Sequence, residues 1–189
     1  MALFALTIFL SAALLFLIQP MLAKHLLPYF GGGAAVWTAC MLFFQTLLLG
    51  GYSYAHLLGR YLAPLQQRKV HGLLLVVALA VSAGNLTLPA ATGSDAPLGA
   101  IILYLLQIVG LPYLLLSATG PLVQHWFAHL QTKHSPYRLY ALSNIGSVGG
   151  LLCYPFLLEP LLTLDNQWQL WLSGLTGFVL CMLLLMWRV

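Results

Sequence analysis

The chain has 189 residues, 61% of them hydrophobic and 5% charged, with a mean hydropathy of +0.95. Seven Lys and Arg and three Asp and Glu cannot clothe a soluble core of this length, whereas lipid accepts an apolar exterior, so an ordinary soluble domain is excluded. The formal charge of +4 does not point to nucleic acid, because the few basic residues sit at the ends of apolar runs, where membrane topology accounts for them.

In chain order, apolar stretches of spanning length predict six transmembrane helices, at 3–23, 34–58, 70–89, 98–126, 138–161 and 167–187. The fold class expected is all-α, a polytopic bundle in one domain. The first segment has no basic n-region and is long enough to cross, so it reads as an uncleaved helix rather than a signal peptide. It ends at Lys24, followed by the Gly31-Gly32-Gly33 break. The second segment sets Trp37, Met41, Gln45, Tyr52 and His56 on one face, and the fourth does likewise with Tyr104, Gln107, Ala118 and His125. The fifth aligns Tyr137, Tyr140, Asn144, Ser147 and Tyr154. Its Gly146 and Gly150, four apart, form a small-xxx-small packing face. Pro20, Pro112 and Pro155 should bend their segments. Neither "FGGGAAVW" nor Gly146-Ser147-Val148-Gly149-Gly150 follows a strand, so neither reads as a dinucleotide fingerprint.

The loops set the orientation. With the N-terminus in the cytoplasm, that side holds Arg60, Arg68, Lys69, Lys133, Arg138 and Arg188, and the outer side only Lys24. Both termini are then cytoplasmic. Lys24 is the basic residue on the disfavoured side, and Glu159, near the outer end of the fifth segment, is its candidate interhelical partner. The alternative is that Lys24 snorkels to headgroups and Glu159 reaches water unassisted.

Polar groups inside the bilayer are expected to face inward, since lipid offers an amide no partner. They serve either as interhelical hydrogen bonds or as a polar pathway lined by Gln19, Gln45, Gln107 and Asn144, with Ser147 beside them. No carboxylate or lysine lies at the midplane, which argues against a proton-driven pump complete in this chain. Five histidines, His56, His71, His125, His129 and His134, fall near the cytoplasmic boundary. His125 and His129 share a face that could serve a metal or haem, or simply meet headgroups, and no acidic partner lies on that side. Cys40, Cys153 and Cys181 are odd in number and lack metal-type spacing, so no disulfide framework, metal site or cofactor is expected. No nucleophile, acid and base converge at one depth, so the chain is not expected to be catalytic by itself.

At "QPMLAKHLLPYFGGGAAVWTACMLFFQTLLLGGYSYAH" and "SPYRLYALSNIGSVGGLLCYPFLLEP" the chain resembles the membrane portion of the fused major-facilitator-like and spermidine-synthase-like bacterial membrane proteins. The resemblance implies a bundle similar to a major-facilitator half, two inverted three-helix repeats, in a bacterial inner membrane. It further implies that the bundle anchors or partners a cytoplasmic aminopropyltransferase- or methyltransferase-like domain. The chain departs from that pattern in stopping at Trp187-Arg188-Val189, which suggests a fragment or a split subunit. No enzyme-domain residue is carried over. A weak internal match pairs "QPML" with "GPLV", and Pro28-Tyr29 with Pro136-Tyr137 as the entries to segments two and five. The alternatives are half of a secondary transporter that pairs with a second helical bundle, or a non-catalytic assembly subunit.

Overall fold

The computed structural model describes residues 1–30, 33–83, 97–130 and 137–188. They form six helices: α1 (Ala2–Phe30), α2 (Ala34–Tyr61), α3 (Pro64–Ser82), α4 (residues 97–130), α5 (Tyr137–Leu161) and α6 (Leu164–Arg188). The fold is all-α, and all of these except α3 are long and apolar enough to cross a membrane. Of the third segment expected from the sequence, residues 84–89 lie outside the described residues.

The helices outrun their apolar segments. α1 continues past residue 23 to Phe30, α3 starts at Pro64 rather than at 70, and α6 at Leu164 rather than at 167. Hydropathy marks only what hydrocarbon requires, whereas backbone bonding continues until a cap or a proline stops it. Pro64 stands in the first turn of α3, where its missing N–H costs no bond. Pro28 and Tyr29 belong to the last turn of α1 rather than introducing α2, and Pro136 lies outside the described residues.

Two helices contain a π-helical turn, Leu106–Gly110 in α4 and Tyr154–Leu158 in α5. The first directly precedes Leu111-Pro112, and the second, which contains Pro155, directly precedes Glu159-Pro160. A proline donates no hydrogen bond and its ring crowds the carbonyl four residues back, so the turn before it widens.

α1 is the central element, with Ile8, Ile18, Leu22 and Leu26 wholly buried. It runs antiparallel to α4: Phe4 meets Phe127 edge-on at 5.2 Å, Gln19 meets Tyr113, and His25 meets Tyr104. It runs parallel to α5, whose glycines ascend its backbone. A Cβ on Gly146 would stand 2.7 Å from the Phe9 carbonyl oxygen, and one on Gly150 2.4 Å from that of Ala13. α2 and α4 are a second parallel pair joined in the same manner, a Cβ on Gly51 standing 2.6 Å from the Leu114 carbonyl oxygen. α6 closes the bundle: Trp171 donates its indole N–H to the Leu14 carbonyl at 3.1 Å, and Arg68 of α3 donates to the Met186 carbonyl at 3.2 Å. The outer surface carries large apolar side chains such as Leu73, Ile145, Phe156 and Leu184, the exterior that lipid solvates.

Two glycines adjacent in sequence separate packing from propensity. Gly150→Ala should destabilise the fold by about 1–3 kcal/mol, because α5 must move off α1 to admit the methyl. Gly149→Ala, which meets open space, should leave stability unchanged or slightly raised. Thermal unfolding of both variants in the same detergent checks the contrast.

Candidate functional site

Four helices, α1, α2, α4 and α5, surround a cleft of about 490 Å³. Its polar wall consists of Ser11, Tyr52, Gln124, Tyr140, Asn144 and Ser147, together with Ser117 and Ser143. Its floor is apolar, including Leu15, Leu48 and Leu116. Tyr52, Tyr140 and Asn144 are exposed, so the cleft opens sideways between α2 and α5.

The helix backbones decide what this wall offers. Ser11 donates to the Ile8 carbonyl at 2.9 Å, Ser117 to that of Leu114 at 2.8 Å, and Ser147 to that of Ser143 at 3.0 Å. Each hydroxyl spends its hydrogen on a carbonyl of its own helix and keeps its lone pairs as acceptors. Gln124 and Asn144 make no side-chain hydrogen bond among the described residues, so each retains an amide donor and an amide acceptor. No Asp, Glu, Lys or Arg lines the cleft among the described residues. Such a lining recognises hydroxyl and amide groups and offers no counter-charge to an ion.

The residues expected to form a polar interior divide between several places. Asn144 and Ser147 lie in the cleft. Gln19 is elsewhere in the core, donating to the Tyr113 hydroxyl at 3.0 Å and to the Leu15 carbonyl at 3.3 Å, so it serves as an interhelical tie. Gln45 and Gln107 do not face inward; both are exposed. For Gln45 the cause is the close approach at Gly51, which commits the Val36, Cys40, Phe43 and Phe44 face of α2 to the interior and turns Trp37, Met41 and Gln45 outward, leaving Tyr52 of that stripe at the cleft rim. Gln107 shares the exposed face of Leu103 and Leu106, and the π-helical turn it belongs to changes the phase between it and the later members of its stripe, Ala118 and His125. Gly146 and Gly150 stand at the α1 contact described above.

Ser11, Ser117 and Gln124 are polar contributors that periodicity does not pick out, because none of them falls on a polar stripe of its own helix. Their signal is indirect. Ser117 sits against the Gly51 Cα, and a serine facing a glycine marks a small-residue contact next to which a cleft can open.

The charged and imidazole groups lie away from the cleft. Lys24 and Glu159 form an ion pair between α1 and α5, with side chains 49% and 38% exposed. His125 and His129 stack edge-on with ring centroids 4.5 Å apart, and no group of three metal-ligating side chains exists among the described residues. His56 is exposed, while His71 is wholly buried with Nδ1 3.3 Å from the Tyr54 hydroxyl. His134 lies outside the described residues. Arg60, Arg68, Lys69, Arg138 and Arg188 gather at one end of the bundle, marked by the Arg68 to Met186 bond, and Lys24, Glu159 and Asp165 occupy the other.

No family model, curated protein or solved structure matches the chain.

Because both partners are substantially exposed, the Lys24–Glu159 pair should contribute little. A double-mutant cycle with Lys24→Ala and Glu159→Ala, read by thermal unfolding, should return a coupling of about 0.2–1 kcal/mol that falls with added salt.

Proposed function

We propose that this chain is the non-catalytic membrane domain of a spermidine-synthase-like bacterial protein, built as a major-facilitator-like half of six spans. In this reading both termini lie in the cytoplasm, a second helical bundle covers the α2–α5 opening, and a soluble enzyme domain or subunit sits at the basic end. The observation that carries it is the laterally open polar cleft in otherwise apolar helices. An unpartnered amide such as that of Asn144 is costly in hydrocarbon, so such a wall implies protein or solvent over it.

Three further features support the reading. The glycine contact between α5 and α1 recurs between α2 and α4, the relation that inverted repeats produce. Pro20 of "QPML" and Pro121 of "GPLV" lie inside α1 and α4, the elements the repeat would exchange. The gathered Arg and Lys residues favour a cytoplasmic location for their end, where an enzyme would meet soluble metabolites. The neutral cleft also suits a secondary-transport half whose charged groups come from the partner bundle, and the covered opening is common to both functions.

Photocrosslinking in native membranes tests the covered opening. A benzoylphenylalanine in place of Tyr140, on the cleft rim, should yield a protein adduct, whereas one in place of Leu184, on the apolar exterior, should yield lipid adducts. Lipid alone at both positions would overturn the reading. A reporter fused after Val189 should be active in the cytoplasm, and uptake by the reconstituted chain with no copurifying enzyme would favour transport.

A further inference from the structure

At the end opposite the basic cluster, α1, α5 and α6 border a second, open cavity of about 600 Å³, lined in part by Lys24, His25, Tyr154, Glu159, Asp165 and Gln167. The α5–α6 connection shapes it. Gln167 reaches back and donates its amide N–H groups to the Leu158 and Leu162 carbonyls at 3.3 and 2.9 Å. Those two acceptors fix the amide orientation, since a flipped amide would set oxygen against oxygen. Gln167 Oε1 is therefore an acceptor, and although the residue is only 5% exposed, that oxygen has no donor.

The α2–α3 connection is built in the same way. There Gln67 donates to the Leu62 carbonyl at 2.8 Å across the same five-residue separation, and its Oε1 accepts the Trp126 indole N–H at 2.8 Å. One turn is thus used at both ends of the molecule, and the protein itself supplies the donor at only one of them. In the same cavity the Tyr154 hydroxyl is also buried without a partner, and Asp165 forms no ion pair among the described residues. The cavity is lined by the Glu159 and Asp165 carboxylates, by the Lys24 ammonium, which pairs with Glu159, and by the His25 imidazole, which bonds the Tyr104 hydroxyl, so among the described residues Asp165 is the carboxylate left without a cationic partner.

We propose that this cavity binds a primary ammonium group, whose N–H donors go to Gln167 Oε1 and the Asp165 carboxylate. A cationic N–H donor satisfies the buried amide oxygen and offsets the net negative charge together, which neither a quaternary cation nor a neutral donor does. An ethanolamine headgroup of a lipid and a free amine both present this group.

The full chain in phosphatidylcholine nanodiscs, titrated with ethylammonium or tetramethylammonium at constant ionic strength, supplies the test. Ethylammonium should raise Tm saturably and tetramethylammonium, with equal charge and no N–H, should not. Asp165→Asn should weaken the response about tenfold, the loss of one charge-assisted hydrogen bond. Tyr154→Phe, which removes a hydroxyl without a protein partner, should fold at least as stably and respond less. Nanodiscs containing phosphatidylethanolamine identify the source: a raised Tm with the ethylammonium response suppressed marks the headgroup, and an undiminished response marks a free amine. Equal responses to both cations, an undiminished response in Asp165→Asn, or no response to ethylammonium or to phosphatidylethanolamine would overturn the proposal, the last leaving water as the partner of Gln167.

Discussion

Where α5 crosses α1, the Gly150 Cα lies so close to the Ala13 carbonyl that a methyl group has no place between them, and Gly51 repeats the arrangement against Leu114. In lipid there is little hydrophobic gain in bringing two apolar helices together, so association depends on how closely backbones can approach. These contacts set which face of each helix is internal. They also set the cleft, because two pairs held this tightly leave between them a space that only side chains can fill, and here several of those side chains are serine, tyrosine and amide.

The same constraint accounts for the distribution of charge. Among the described residues the Lys, Arg, Asp and Glu side chains lie at the two ends, where Arg68 ties α3 to the last turn of α6 and Lys24 ties α1 to Glu159. The Arg68 guanidinium satisfies a carbonyl that helix geometry leaves without an intrahelical donor. The Lys24 pair joins two exposed groups and adds little more than register. Stability resides in the buried α1 surface and its glycine contacts, and the polar ends orient what those contacts hold.

Much of the bundle is legible in the sequence, and the reasons differ by element. The breaks at Pro64 and around Asp165 are visible because polar residues and proline interrupt hydropathy. Lys24 and Glu159 could be matched because carboxylates are so few. The Gly146 and Gly150 face is legible from its spacing, whereas Gly51 is not, since its partner surface is a serine on a distant helix. The polar stripes misplace Gln45 and Gln107 for a physical reason: periodicity tells which residues share a face, and tertiary contact decides where that face points. On α4, Gln107 shares the exposed face of Leu103 and Leu106 while Tyr104, drawn on the same stripe, is buried, and the π-helical turn breaks the period for the residues that follow. Asn144 and Ser147 mark the cleft in the sequence, whereas Ser11, Ser117 and Gln124 do not, since only the crossing of four helices brings them together.

A backbone contact without room for a methyl group also tolerates little shear. α1 with α5 and α2 with α4 are therefore two stiff plates, and the serine-lined space lies along the joint between them. The α1–α4 contacts, Phe4 on Phe127 and Gln19 with the Tyr113 hydroxyl, cross that joint and set the angle at which the two plates meet.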